Sequence, residues 1–155
     1  MTFNNRQAAA RRLGPGSTTR SGYLAGVIVI VDVANVLGSR PDGWWRDRAG
    51  AAARLLDRIA VLPGSDVVGA DGQPIRIDRV IAVVEGAART APSPTRPVDL
   101  TVVRAERDGD SAIVALAHEL PADLLVVTAD RGLRQRLPAS AAAAGPNWLN
   151  ALIGR

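Results

Sequence analysis

The stretch VIVIVDVANVLGSRPDGWWRDRAG, residues 27–50, decides how the rest of the chain is read. Val27 to Val31 form an unbroken β-branched run, the pattern of a parallel strand covered on both faces. The run ends on Asp32, and Asn35 follows three residues later. A Gly-Ser-Arg-Pro-Asp-Gly loop, residues 38–43, leads to the adjacent Trp44 and Trp45. From there Trp45, Ala49, Ala52, Leu56 and Ile59 recur at steps of 4, 3, 4 and 3, one face of a helix. The spacing predicts a helix from about Asp42 to Ala60, with Asp42 as its N-cap and Trp45 as a core anchor.

Working outward, strand and helix patterns alternate. LPGSDVVGADGQPIRID (62–78) is rich in turn residues, and VVGADGQPIRI within it has the look of a small hairpin. RVIAVVEG (79–86) is a second buried strand ending on Glu85, and the three prolines of RTAPSPTRP (89–97) mark a loop. VDLTVVRAE (98–106) is a third strand. A helix from Asp110 to Leu120 puts Ile113, Leu116, Ala117 and Leu120 on one face. DLLVVTAD (123–130) is a fourth strand, ending on Asp130, and RGLRQRL (131–137) a short helix. ASAAAAGPNWLNALI (139–153) is poorly patterned; a weak edge strand and a final helix started by Pro146 fit it best. The alternation predicts an α/β fold, a three-layer Rossmann-like sandwich around a mostly parallel sheet of four to five strands.

At 155 residues the chain suits one domain with a real core, filled by Val, Ile, Leu and Ala because Phe, Tyr and Met occur once each. The absence of Cys excludes disulfides and thiolate metal sites. Charge is unevenly placed. Residues 1–22 hold Arg6, Arg11, Arg12 and Arg20 and no acid; removing those four from the 19 basic residues leaves 15 against 15 acids. The basicity therefore belongs to a flexible leader, 1–22, and not to the domain expected over 23–155. Arg11-Arg12 is not followed by an apolar segment, and the later apolar run is cut by Asp32, so neither twin-arginine export nor a membrane span is expected. A cytoplasmic location follows from that reading.

In an open parallel sheet, ligands bind outside the carboxyl ends of the strands. Asp32, Glu85 and Asp130 each end an apolar strand, and Asp110 opens the helix after the third. Gathered at one edge, these acids repel one another and shift their pKa values upward unless a cation lies between them. Mg²⁺ or Mn²⁺ suits such an all-oxygen set. Taken singly, an Asp after a strand is usually a turn former or helix cap, and Asp108 reads as a solvated turn residue. His118, the only His, falls beside the apolar face of its helix, which argues against His-based triads and His metal sites. Trp44 has two readings, packing or stacking on a base at the site mouth. No phosphate-binding G-x-x-x-x-G-K-[ST] loop, G-x-G-x-x-G fingerprint or G-x-S-x-G elbow is present. DVAN lacks the second Asp that an aspartyl-phosphate hydrolase needs.

From Val27 onward the chain resembles an NYN domain of the larger PIN-like nuclease group. VDVANV (31–36), GDSAIV (109–114) and VVTADRGLRQRL (126–137) carry the resemblance, in order. VANVLGSRPDGWWRDRAGAAARLL (33–56), with VVEGAAR (83–89), is similar to a small actinobacterial branch. The resemblance implies a cluster of acids binding Mg²⁺ or Mn²⁺ and metal-dependent cleavage of RNA. By motif, Asp32, Asp110 and Asp130 match the catalytic, metal-binding acids, and Glu85 joins them as a metal ligand through VVEG. Asn35 matches the amide after the first strand, and Thr128 and Arg131 flank the last acid near phosphate. Ser39, Arg40, Trp44 and Arg46 complete the implied substrate-binding set. Ser111 stands where many relatives carry a second acid, which thins the metal charge. Three functions follow: a metal-dependent ribonuclease, an RNA- or nucleotide-binding domain that does not cut, and a phosphohydrolase of small nucleotides. The partner is RNA in the first two, and a homodimer stays open.

Overall fold

The apolar run that opens the domain has no polar side to offer water, and it lies where none is needed. In this computed structural model, which describes residues 24–95 and 99–155, strand β1 (Gly26–Asp32) has parallel partners on both sides. The expected basic leader, 1–22, lies outside the described residues. Helix α1 (Val33–Gly38) follows directly, then a 3-10 turn at Trp44–Arg46, α2 (Arg48–Ile59), β2 (Asp66–Val68) and β3 (Pro74–Val84). A second 3-10 turn spans Gly86–Thr90. After it come β4 (Leu100–Arg104), α3 (Gly109–Glu119), β5 (Leu124–Val127), α4 (Arg131–Arg136), β6 (Ala141–Ala144) and α5 (Pro146–Leu152).

The sheet has six strands, ordered β2-β3-β1-β5-β6 with β4 also paired to β3. All neighbours are parallel except β2, which runs antiparallel to β3. β2 and β4 share one edge of the long β3, the first at Pro74–Arg76 and the second at Val80–Val84. The hairpin and the second strand expected separately are therefore one strand. What joins them is a shift in register opposite Val27 and Ile28, where Asp78 is the extra residue. It changes the alternation, so that Ile77 and Val80, three apart, face the same core. The weak alanine strand does close the other edge, as β6.

Each face of the sheet has its own core. Val27, Val29 and Val31 pack with Val36, Leu55, Leu56, Ile59 and Leu149, so α1, α2 and α5 cover one face. Ile30, Ile81 and Val83 pack with Ile113, Ala117 and Leu133, so α3 and α4 cover the other. This is the expected three-layer Rossmann-like sandwich, with six strands where four to five were expected because β2 and β4 both pair with the long β3. Each fully buried Val or Ile of β1 contributes roughly 1.5–3 kcal/mol relative to exposure. Among the described residues no helix is long and apolar enough to cross a membrane.

Two local expectations fail near the tryptophans. Asp42 does not cap the long helix; Asp47 does, accepting from the backbone N–H of Gly50 at 2.9 Å. Asp42 instead accepts from the Arg155 guanidinium at 2.8 Å, which holds its carboxyl below the ordinary value. Trp45 is not a core anchor but 49% exposed, while Trp44 packs against the core. The cause is Gly43, at φ +87°, and the 3-10 turn after it, which break the helical phase before α2 begins.

Candidate functional site

The order of the strands makes a crevice at one place. From β1 the chain moves outward through β3 to β4, then returns to β5 on the other side of β1. The helices that follow β1 and β5, α1 and α4, therefore depart toward opposite faces of the sheet. The loops diverge there, and a cleft opens at the carboxyl ends of the strands. It holds about 390 Å³ and is lined by Asp32, Ala34, Asn35, Glu85, Asp108, Asp110 and Asp130.

Four of the five acids are placed by a backbone N–H. Asp32, last in β1, caps α1 by accepting from Asn35 N at 3.2 Å. Asp130 caps α4 by accepting from Leu133 N at 2.9 Å, and Asp108 caps α3 by accepting from Ser111 N at 2.7 Å. Glu85, just past β3, accepts from Gly109 N and so ties the start of α3 to the sheet. A Cβ on Gly109 would sit 2.8 Å from Glu85 Oε2, so a larger residue there would push the Glu85 carboxylate aside. Asp110, in that same turn, caps nothing and turns to the cleft. Asp108 is solvent-exposed, as expected, and is also the cap of α3. The signal was Asp108 itself, a favoured capping residue, but Asp110 two residues on offered a competing start.

Thr128 is the hub beneath these acids. It is fully buried, donates its hydroxyl to Asp32 Oδ2 at 3.0 Å, and accepts at the same oxygen from Asp130 N at 3.1 Å. Its carbonyl accepts from Arg134 Nε at 2.9 Å. Thr128 is a support for the carboxylates, not a surface contact for phosphate. Asn35 also works structurally: its Oδ1 accepts from Ala129 N at 2.8 Å and clamps α1 to the loop after β5. Ser39 lies away from the cleft, donating to the Val36 carbonyl at 2.6 Å and accepting from Asn150 Nδ2 at 3.0 Å. Arg40, Arg46 and Arg131 are exposed and do not line the cleft. Trp44 lines a neighbouring pocket instead. His118 is exposed on α3, as expected.

The cleft is mainly acidic, with the charge of Arg136 acting the other way on Asp108 and Asp110. Asp32 is 7% exposed, and its carboxyl is pushed up to about 6, first by burial and further by the charges of Asp110 and Glu85. The bonds from Asn35 and Thr128 oppose that rise. Asp110 is also raised, by desolvation and then by Asp130, Glu85 and Asp108. Asp108 is lowered by its bonds to Ser111. The salt bridges among the described residues are Arg54–Asp47, Arg76–Asp66 and Arg155–Asp42, and none involves a cleft acid. An all-carboxylate donor set of this kind suits a hard divalent cation. Among the described residues, however, no group of three or more His, Cys, Asp or Glu side chains is placed to hold a metal ion.

No protein-family model, curated protein or solved structure matches this chain.

Proposed function

We propose that the protein is a metal-dependent ribonuclease of the PIN-like, NYN type, hydrolysing RNA phosphodiesters at the acidic cleft in the cytoplasm. One observation carries this reading. Five carboxylates line a cleft at the point where the strand order reverses, and none has an arginine within salt-bridge distance among the described residues. A protein that needed these acids only as helix caps has no reason to bury one of them among the others. Asp32, Asp110 and Asp130, with Glu85, would hold Mg²⁺ or Mn²⁺. When bound, such an ion supplies a water of lowered pKa and neutralises charge on the phosphodiester. The chain's own part is positioning. The Thr128 hydroxyl fixes the Asp32 carboxylate, the Asn35 clamp fixes α1 against the loop after β5, and the Glu85–Gly109 bond fixes the turn that carries Asp110.

The separate placement of the carboxylates, with Ser111 where a second acid would strengthen the set, supports a second reading: RNA or nucleotide binding without cleavage. A Mn²⁺-dependent cleavage assay on single-stranded and structured RNA, run beside nucleoside triphosphates, separates them. Cleavage of RNA that EDTA abolishes is expected. Retention of RNA without cleavage would favour the binding domain, and hydrolysis confined to the triphosphates would favour a small-nucleotide phosphohydrolase.

A further inference from the structure

Beside the acidic cleft lies a second pocket of opposite character, about 410 Å³, which shares Ala34 and Glu85 with it. Its volume is within the range of small-molecule sites, roughly 300–1,000 Å³. Trp44 forms part of its wall, and small apolar residues, Ala87 and Ala88 among them, form another part. Two arginines reach it, Arg48 and Arg107, both exposed at the rim. The Arg48 guanidinium stands over the Trp44 ring, 5.4 Å from its centre. A guanidinium beside an aromatic ring at that distance still has N–H groups to offer an anion. Neither arginine takes part in a salt bridge among the described residues, although acids are close at hand in the neighbouring cleft.

We propose that this pocket is a nucleotide subsite, in which Trp44 stacks an unpaired base and Arg48 and Arg107 hold the phosphate next to it. The complementarity is to a planar group joined to an anion. A flat apolar wall alone suits many ligands and two cations alone suit any phosphate, but a nucleoside phosphate uses both. Base–aromatic stacking tolerates any base, because every base has a π-face, so the subsite selects for an unpaired nucleotide and not for a sequence. The subsite rests on the reading of the acidic cleft as the place where a phosphodiester is cut. Glu85, on the shared wall, marks the boundary between the residue being cut and the residue being held.

Binding is tested apart from cleavage by isothermal titration of the full chain in EDTA with adenosine 5′-monophosphate, adenosine, ribose 5-phosphate and inorganic phosphate. The monophosphate is expected to bind at millimolar concentration or below, and more tightly than any of its parts. Trp44→Leu should weaken the monophosphate at least about tenfold, the size of one lost stack. Because Trp44 also packs on the core, its variant is read only with an unchanged circular dichroism melt, and the exposed Arg107→Gln provides the second arm. Arg107→Gln should weaken the monophosphate and leave adenosine unaffected. No binding by the wild type, or binding unchanged in Arg107→Gln and in a folded Trp44→Leu, overturns the subsite. If the monophosphate binds through Trp44 and Arg107 but no RNA is cut with Mn²⁺, the subsite stands and the nuclease reading fails. If RNA is cut with the same KM by wild type and both variants, the nuclease reading stands and the subsite fails.

Discussion

Asp32 and Asp47 perform the same local task in different surroundings. Each caps a helix by accepting a backbone N–H three residues on, from Asn35 at 3.2 Å and from Gly50 at 2.9 Å. Asp47 does so in the open, with Arg54 3.9 Å away. Asp32 does so at the end of the central strand, 7% exposed, with a threonine hydroxyl for a partner and other carboxylates for neighbours. Ser, Thr and Asn cap a helix as well as Asp does and carry no charge into the interior. Capping therefore accounts for Asp47 and does not account for Asp32. The displacement of its carboxyl from 3.8 to about 6 corresponds to a cost of at most about 3 kcal/mol for keeping Asp32 ionised at neutral pH. A charge kept at that cost belongs to function more readily than to fold.

The comparison breaks most directly on cleavage. Asp32→Asn and Asp130→Asn keep shape and capping but remove a negative charge from the cleft. Each should lower Mn²⁺-dependent RNA cleavage by roughly 100-fold or more, since a metal ligand acts on transition-state charge. Wild-type rates in both variants, measured under single-turnover conditions, would leave Asp32 as a cap in an awkward place.

Stability should move the opposite way. In metal-free buffer at pH 7, Asp32→Asn should raise unfolding free energy by about 1–2 kcal/mol. That is less than the full 3 because the Thr128 hydroxyl loses a charged acceptor. The pH dependence fixes the cause. The folded protein keeps the Asp32 proton to about pH 6, whereas the unfolded chain releases it near 3.8. Between those values the folded state binds more protons, so this group's contribution is whole below pH 3.8, is lost as pH rises through 6, and changes little above. The variant's advantage over wild type should grow across that window and then level off. Denaturant melts at pH 4, 5, 6 and 7.5 measure it; a constant difference would show that burial of the charge is not the source. Mn²⁺ should raise the wild-type melting temperature at pH 7 and leave the variant nearly unmoved.

How much of this was legible beforehand depended on whether local pattern or distant contact decided a residue's place. The β1 run, with Asp32 at its end, could be read because continuous β-branched residues leave only the sheet centre. Glu85 could be read as a strand-end acid for the same reason, whereas β5 stops at Val127 and Asp130, expected at the strand end, caps α4 instead. Trp45 was misplaced because a periodicity extended across Gly43 ignores a left-handed residue and a 3-10 turn that reset the phase. The extra residue in β3 left no mark, since Asp78 and Arg79 look like any exposed pair between apolar segments. Ser39 resembled a loop residue near a site, but its role is fixed by Asn150, 111 positions away, which no local pattern reveals. In the sequence Thr128 stands out only through its neighbour Asp130, while its bond to Asp32 spans 96 positions.

The smallest effects should come from Asp47, and they hold the other side of the comparison in place. Asp47→Asn exchanges one good cap for another, so the N–H of Gly50 keeps its acceptor. What is lost is the 3.9 Å approach of Arg54, between two side chains that are both more than half exposed, and such pairs are worth roughly 0–1 kcal/mol. The expected change is within about 0.5 kcal/mol at neutral pH, with cleavage unaltered. Asp47→Ala removes the acceptor as well and should cost about 1 kcal/mol. The contrast between the two substitutions isolates capping from charge. If Asp47→Asn stabilised the metal-free protein as much as Asp32→Asn does, relief of general charge repulsion would explain both. Asp32 would then lose its special standing at the end of β1. Paired denaturant melts of the four proteins, wild type, Asp32→Asn, Asp47→Asn and Asp47→Ala, decide it.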